Sequence, residues 1–121
     1  MLEGFLKREG FAVSATVSLD EAVARVEAAP PTLVVVESDA VRLDGLAAIR
    51  RLRAARGGDR SAILMLTARP ELSEKLAAFQ AGADDVVVTP FEPEEVVARV
   101  QAMVARLRRG DTSSSLAPTA S

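Results

Sequence analysis

Leu33-Val34-Val35-Val36 is an unbroken apolar run, mostly β-branched. Such a run has no polar side to turn toward water. It therefore reads as a strand buried on both faces, the mark of a parallel sheet covered by helices. Pro30-Pro31 ends whatever helix precedes it, and the polar stretch from Glu37 to Asp44 follows it. Two further runs of the same kind lie downstream, Ala62-Ile63-Leu64-Met65-Leu66 and Val86-Val87-Val88. Between the first two, Leu46, Ile49 and Leu52 recur at helical spacing and Gly57-Gly58 stops the pattern. Thr67-Ala68-Arg69-Pro70 leads into a helix carrying Leu72, Leu76 and Phe79, closed by Gly82. Past the third run, Pro90 and Pro93 bracket a turn, and Glu94 to about Arg109 reads as an amphipathic helix through Val96, Val97, Val100, Val104 and Leu107.

Upstream the same logic holds with shorter elements. Ser18-Leu19-Asp20-Glu21 has the form of a capping box for a helix that places Ala22, Val23, Val26 and Ala29 on one face. Phe11 to Val17 alternates and reads as a short strand. Residues 1–9 read as a helix fragment in which Leu2, Phe5 and Leu6 share a face, stopped by Gly10. The predicted order is α-β-α-β-α-β-α-β-α. Alternation with continuous apolar strands and right-handed crossovers implies a doubly wound parallel sheet with helices on both faces. Function in such sheets gathers at the carboxyl ends of the strands, here Glu37-Ser38-Asp39, Thr67-Ala68 and Thr89-Pro90. One domain over residues 1–109 is expected, with 110–121 a disordered Ser/Thr/Ala/Pro tail.

Composition narrows the chemistry. The 121 residues are 49% hydrophobic and 26% charged, a globular balance, and the only aromatics are Phe5, Phe11, Phe79 and Phe91. With no Cys and no His, disulfides, Cys/His metal sites, Ser–His triads and histidine phosphotransfer are excluded from the chain. A net charge of −2 argues against nucleic acid or an anionic membrane as the main partner. No apolar run approaches a membrane span and no signal-peptide pattern occurs, so a cytoplasmic location is expected. No Gly-rich phosphate loop or nucleophile elbow is present.

Taken in order, Pro31 to Val36, Leu43-Asp44-Gly45-Leu46, Ile63 to Ala68, Ala81-Gly82-Ala83-Asp84-Asp85 and Pro90-Phe91 resemble the receiver domains of two-component response regulators, most of all the OmpR/PhoB subfamily. The likeness covers roughly residues 1–109. It implies a flavodoxin-like (CheY-like) three-layer α/β/α sandwich, here with the first strand missing. It also implies a signalling role in a phosphorelay and not an enzyme. The family transfers a phosphoryl group to an Asp at a strand end, aided by Mg²⁺, an acidic pair and a Lys before a cis-Pro. A spread negative charge needs a cation and fixed donors close by.

At those positions this chain differs. The acceptor position, seven before Asp44, holds Glu37, whose carboxylate lies one methylene further out. Thr89 stands where the Lys would precede Pro90, and Val86 stands at the switch aromatic, while Thr67 matches its family position. The acidic pair has no counterpart in the 121 residues. No cofactor is expected, and the residues at the Mg²⁺ positions do not answer to that ion. Glu37 reads either as a permanent stand-in for a phosphorylated Asp or as a solvated loop carboxylate. Thr67 reads as a sensor of that charge or as a helix N-cap ahead of Glu71 and Glu74. Pro90 is a candidate cis-proline by resemblance.

The resemblance also points to a homodimer through the face of fourth helix, fifth strand and fifth helix. Lys75, Asp84, Asp85, Glu95, Arg99 and Arg106 match its charged positions, with implied cross-subunit pairs Lys75–Glu95, Asp85–Arg99 and Asp84–Arg106. Ala81 departs from the acidic residue usual there. A histidine kinase or another signalling protein is the further partner implied; nucleic acid and membrane are not.

The family's first strand is central, so its absence would open the sheet. Three arrangements would close it, in this order: a natural chain longer than the one beginning at Met1, direct pairing of Phe11–Val17 with the Leu33 strand, or a strand from another chain. The expected function is a phosphorylation-independent receiver acting by protein contact. The alternatives are an active receiver with another acidic acceptor such as Asp39, and a remnant of a larger transcriptional regulator without output function.

Overall fold

The computed structural model describes residues 2–38 and 44–109. In chain order these form α1 (Leu2–Arg8), α2 (Leu19–Ala28), β1 (Leu33–Glu37), α3 (Gly45–Ala54), β2 (Ala62–Thr67), α4 (Leu72–Ala81), β3 (Asp85–Val88) and α5 (Pro93–Arg108). The strands make one parallel sheet in the order β1-β2-β3, with Leu33 opposite Ala62 and Leu64 opposite Asp85. The predicted tail and Asp39 lie outside the described residues.

Strand alternation sorts the core into two layers. Ala62, Leu64 and Leu66 of β2 and Val87 of β3 pack with Leu6 of α1 and Val96, Val97, Val100, Met103 and Val104 of α5. Ile63 and Met65 of β2, Val36 of β1 and Val86 of β3 face the other way, onto Val26, Ala48, Ile49, Leu52 and Ala78 of α2, α3 and α4. Every residue of β2 is buried, as its unbroken apolar sequence requires, and each fully buried aliphatic side chain of this size contributes about 1.5–3 kcal/mol. The result is the three-layer sandwich the sequence implied.

Helix ends follow their sequence signals. Ser18 accepts from the Glu21 N–H at 3.2 Å and caps α2. Asp44 caps α3, accepting from the N–H groups of Leu46 and Ala47. Pro93 opens α5 in its first turn, where its missing N–H costs nothing, so the helix begins one residue before the predicted Glu94. Gly82 closes α4 with φ +124°, a value that only glycine adopts easily.

The predicted strand over Phe11–Val17 does not form. The segment enters no ladder of the sheet, and Val17 is fully exposed. Its direct pairing with β1 is therefore not what the chain does. An alternating pattern supplies a half-buried surface but no hydrogen-bonding neighbour, and among the described residues β1 is paired with β2 alone. Among the described residues β1 stands at the edge of the sheet, with Leu33, Val34 and Val35 half-buried.

Candidate functional site

The carboxyl ends of the three strands come level with one another. Glu37 is opposite Leu66 in the register, Ser38 donates its N–H to Leu66 O at 2.8 Å, and Thr89 donates its N–H to Thr67 O at 2.7 Å. Glu37, Thr67 and Thr89 thus stand on successive strand ends, the three positions the sequence singled out. Glu37 is exposed, Thr67 is 3% exposed and Thr89 is half-buried. Val86, on β3 three residues before Thr89, is in the core with Met65 and Ile63. The Thr89–Pro90 bond is cis.

Ser38 is held by the start of α3. A methyl group added at Gly45 would lie 2.7 Å from Ser38 Cβ and 3.1 Å from Met65 Sδ, so the close approach of α3 to the end of β1 depends on that glycine. Asp44, as the helix cap, spends its carboxylate on backbone N–H groups. Among the described residues no group of three or more acidic or other ligating side chains could hold a metal ion.

Thr67 is not a helix cap. The cap of α4 is Glu71, four residues on, and makes no side-chain bond there. The Thr67 hydroxyl accepts instead from the Arg69 N–H at 3.1 Å, bracing the turn that leaves β2. Threonine followed by acidic residues is a valid capping signal, but Pro70 delays the helix and moves its start beyond Thr67's reach.

The charged positions of the third strand are engaged within one chain. Arg99 donates from Nη1 to Asp85 Oδ2 at 2.9 Å and from Nη2 to Glu95 Oε2 at 3.2 Å. Burial works against the Arg99 charge, and the hydrogen bond and attraction from Asp85, then those from Glu95, outweigh it and hold the guanidinium above its ordinary pKa. Asp84 accepts from Arg53 Nη2 and from the Ile63 N–H, both at 2.8 Å. Asp85 and Arg99, implied by resemblance to meet across subunits, also meet within the protomer, and Asp84 meets Arg53 of its own chain. Lys75 and Arg106 are half-buried and Glu95 is exposed.

Sequence reasoning missed Arg53. Its guanidinium donates to Gly82 O, Gly58 O and Ser61 O as well as to Asp84, tying the end of α3 to the turns before β2 and β3. Nothing in the local sequence marks it, because its partners are carbonyls brought together only by the fold.

The chain belongs to the response regulator receiver domain family, whose model matches residues 1–101. It is 40% identical over 103 residues to the phosphate regulon transcriptional regulatory protein PhoB of Rhizobium meliloti, covering 85% of this chain and 45% of that protein. It is 38% identical over 112 residues to the response regulator MprA of Mycobacterium leprae, covering 93% and 48%. The chain thus spans about half the length of these curated relatives. The solved chemotaxis protein CheY4 of Vibrio cholerae shares the fold, with a TM-score of 0.77 over 85% of this chain and 86% of that one at 23% identity. No helix among the described residues is long and apolar enough to cross a membrane.

Proposed function

We propose that this receiver domain signals by protein–protein contact without being phosphorylated, as a homodimer through the face built by α4, β3 and α5. The observation that carries the reading is the strand-end constellation itself. The acceptor position is an exposed Glu37, and the position before the cis Pro90 is Thr89. In-line transfer needs the attacking oxygen placed within tenths of an ångström and a cation on the phosphoryl oxygens. A carboxylate one methylene longer displaces the first, and a threonine supplies no charge for the second. Glu37 and Thr89 offer Mg²⁺ a single exposed carboxylate.

Three features support the dimer. Leu72 and Leu76 expose 68% and 51% of their surface on α4, beside the half-buried Lys75. Glu95 stands exposed on α5 and pairs with Arg99 of its own chain. Isologous two-fold contacts are also the commonest oligomer. A cytoplasmic setting and a signalling protein as further partner belong to the same reading.

The test is incubation of the purified chain with acetyl phosphate and Mg²⁺, followed by intact mass, and with beryllofluoride and Mg²⁺, followed by amide NMR. No phosphoryl mass gain and no Mg²⁺-dependent shift at Ser38, Thr67 or Thr89 are expected, with a dimer in sedimentation before any donor is added. A stoichiometric acyl phosphate on Glu37 or on Asp39 would overturn the reading and return the chain to an ordinary relay.

A further inference from the structure

We propose that Arg53 is the positioning residue of the contact face: its guanidinium seats the carboxyl end of α4 beside β3, and so fixes where Leu72, Lys75 and Leu76 stand. This rests on the reading of α4, β3 and α5 as the surface that meets a second copy. An arginine side chain has five N–H donors, and here all are used. Nε and Nη2 reach Gly82 O at 3.0 and 2.7 Å, and Nη2 also reaches Asp84 Oδ2 at 2.8 Å. Nη1 reaches Gly58 O at 2.9 Å and Ser61 O at 2.5 Å. Gly82 is the C-cap of α4, and Asp84 is the last residue before β3. Asp84 in turn holds Ile63 of β2 twice, accepting its N–H at 2.8 Å and donating a backbone N–H to its carbonyl at 2.7 Å. One cation thus joins the end of α3, the cap of α4 and the entry to β3. A Cβ at Gly82 would lie 2.8 Å from Arg53 Cγ, so the glycine and the arginine are matched to each other.

The rest of α4 is lightly held. Its buried residue is Ala78, and the apolar side chains that join the core with it, Phe79 and Ala81, lie in the last turn. At the other end the cap, Glu71, makes no side-chain bond, and the Arg69–Glu74 pair at 3.3 Å lies too near water to fasten the turn. Leu72 and Leu76 stand exposed, outside both core clusters. A helix gripped at one end takes its direction from that grip. The other two parts of the face are already joined by the Asp85–Arg99 pair, so α4 is the part whose placement depends on Arg53. A lysine at this position would keep a charge beside Asp84, but one nitrogen cannot span four acceptors spread over three turns.

The experiment compares the full chain with Arg53→Lys and with Leu6→Val, a mild core truncation on α1, across the sheet from α4. Amide exchange by NMR reads residues 75–82 for α4 and residues 64–66 for the sheet. In the unaltered chain the α4 amides should exchange faster than those of β2, through an opening of α4 alone. The Arg53 bonds break in that opening, so Arg53→Lys should speed the α4 amides by about tenfold or more. Leu6→Val weakens the whole fold, so it should speed β2 and leave α4 unchanged. Sedimentation of the folded chains should show the dimer weakened by about fivefold or more in Arg53→Lys and unaffected in Leu6→Val. Asp84→Asn, which weakens one acceptor of the fork, should loosen α4 in the same direction by a smaller factor, and it serves if Arg53→Lys does not fold. Two results would overturn the proposal. One is α4 exchange at the unaltered rate in Arg53→Lys while β2 accelerates, meaning that Arg53 serves the fold as a whole. The other is a loosened α4 with an unchanged dimer constant, meaning that the face does not depend on the seat of α4. An unaltered chain that stays monomeric at every concentration defeats the reading of the face itself, and the exchange rates alone then decide whether Arg53 seats α4.

Discussion

Arg99 on α5 and Asp85 on β3 form an ion pair of 2.9 Å in which the carboxylate is almost fully enclosed, with a side-chain exposure of 6% against 28% for the arginine. Removing the arginine would strand a buried negative charge on the strand next to the helix that covers it. Arg99→Ala should cost roughly 2–3 kcal/mol, below the 3–5 of a fully buried pair because the guanidinium is partly wet. The raised Arg99 pKa means that its contribution is complete below the unfolded value and is lost only as pH rises through the still higher folded one. The deficit measured by urea unfolding should therefore stay constant from about pH 7 to 10.

Asp84 serves two donors from two elements, Arg53 on α3 and the Ile63 N–H on β2. Asp84→Ala leaves the Ile63 N–H unsatisfied and takes the one carboxylate from Arg53, which keeps its three carbonyl acceptors, and should cost about 1–3 kcal/mol. Asp84→Asn keeps an oxygen acceptor and should recover part of that loss. Equal destabilisation by both substitutions, read from denaturant midpoints, would show that charge and not hydrogen-bond acceptance is what the site uses.

Two glycines give opposite expectations. Gly4 lies inside α1 with nothing within 4 Å of an added Cβ, so Gly4→Ala should stabilise by about 0.5–1 kcal/mol through helix propensity. At Gly58 the added carbon would fall 1.8 Å from the Leu52 carbonyl oxygen, a backbone atom of α3. Gly58→Ala should displace the end of α3 and lower the melting temperature by several degrees, about 4–8 °C for each kcal/mol in a domain of this size. A neutral Gly58→Ala would mean that the turn relaxes without disturbing Arg53.

The proposed dimer makes a charge-reversal prediction. If Lys75 and Glu95 meet across the two-fold axis, Lys75→Glu should weaken dimerisation and Lys75→Glu combined with Glu95→Lys should restore it. Sedimentation at two salt concentrations reads both. An exposed pair is worth only about 0–1 kcal/mol, so a shift of up to fivefold in the dimer constant is the scale to look for. Failure of the double variant to recover would remove this pair from the interface.

The strand-end chemistry is tested by rebuilding it. Glu37→Asp restores the shorter carboxylate but no cation, and Thr89→Lys restores the cation but not the attack distance. Neither alone should yield an acyl phosphate with acetyl phosphate and Mg²⁺, and any labelling seen by mass should be confined to the double variant. Stoichiometric labelling of Glu37→Asp alone would show that the charge before Pro90 is dispensable.

Much of this protein was legible in order along the chain. The runs at Leu33, Ala62 and Val86 became the three paired strands because a continuous apolar sequence can be satisfied only between two covering layers. Ser18 capped the helix it precedes, since capping is settled within a few residues; Asp44, read only as the end of a polar stretch, caps α3 by the same local rule. The substitutions at Glu37, Thr89 and Val86 were visible as soon as the family order was, and the fold brought the first two to adjacent strand ends. Of the two readings of Thr67 the helix cap fails, because a hydroxyl can serve a helix start or a turn with equal local logic, and only the position of Pro70 and Glu71 in space decides between them.

Sequence alone determined which segments are apolar, where they stop and which chemical groups stand at the strand ends, because those properties belong to residue types and their spacing. Tertiary structure decided what depends on residues far apart in the chain. It left Phe11–Val17 without a ladder, because a strand exists only where a neighbour offers hydrogen bonds. It closed Asp85 with Arg99 and Asp84 with Arg53 inside one protomer, because the strength of an ion pair depends on burial and distance, and neither is written in the order of the residues.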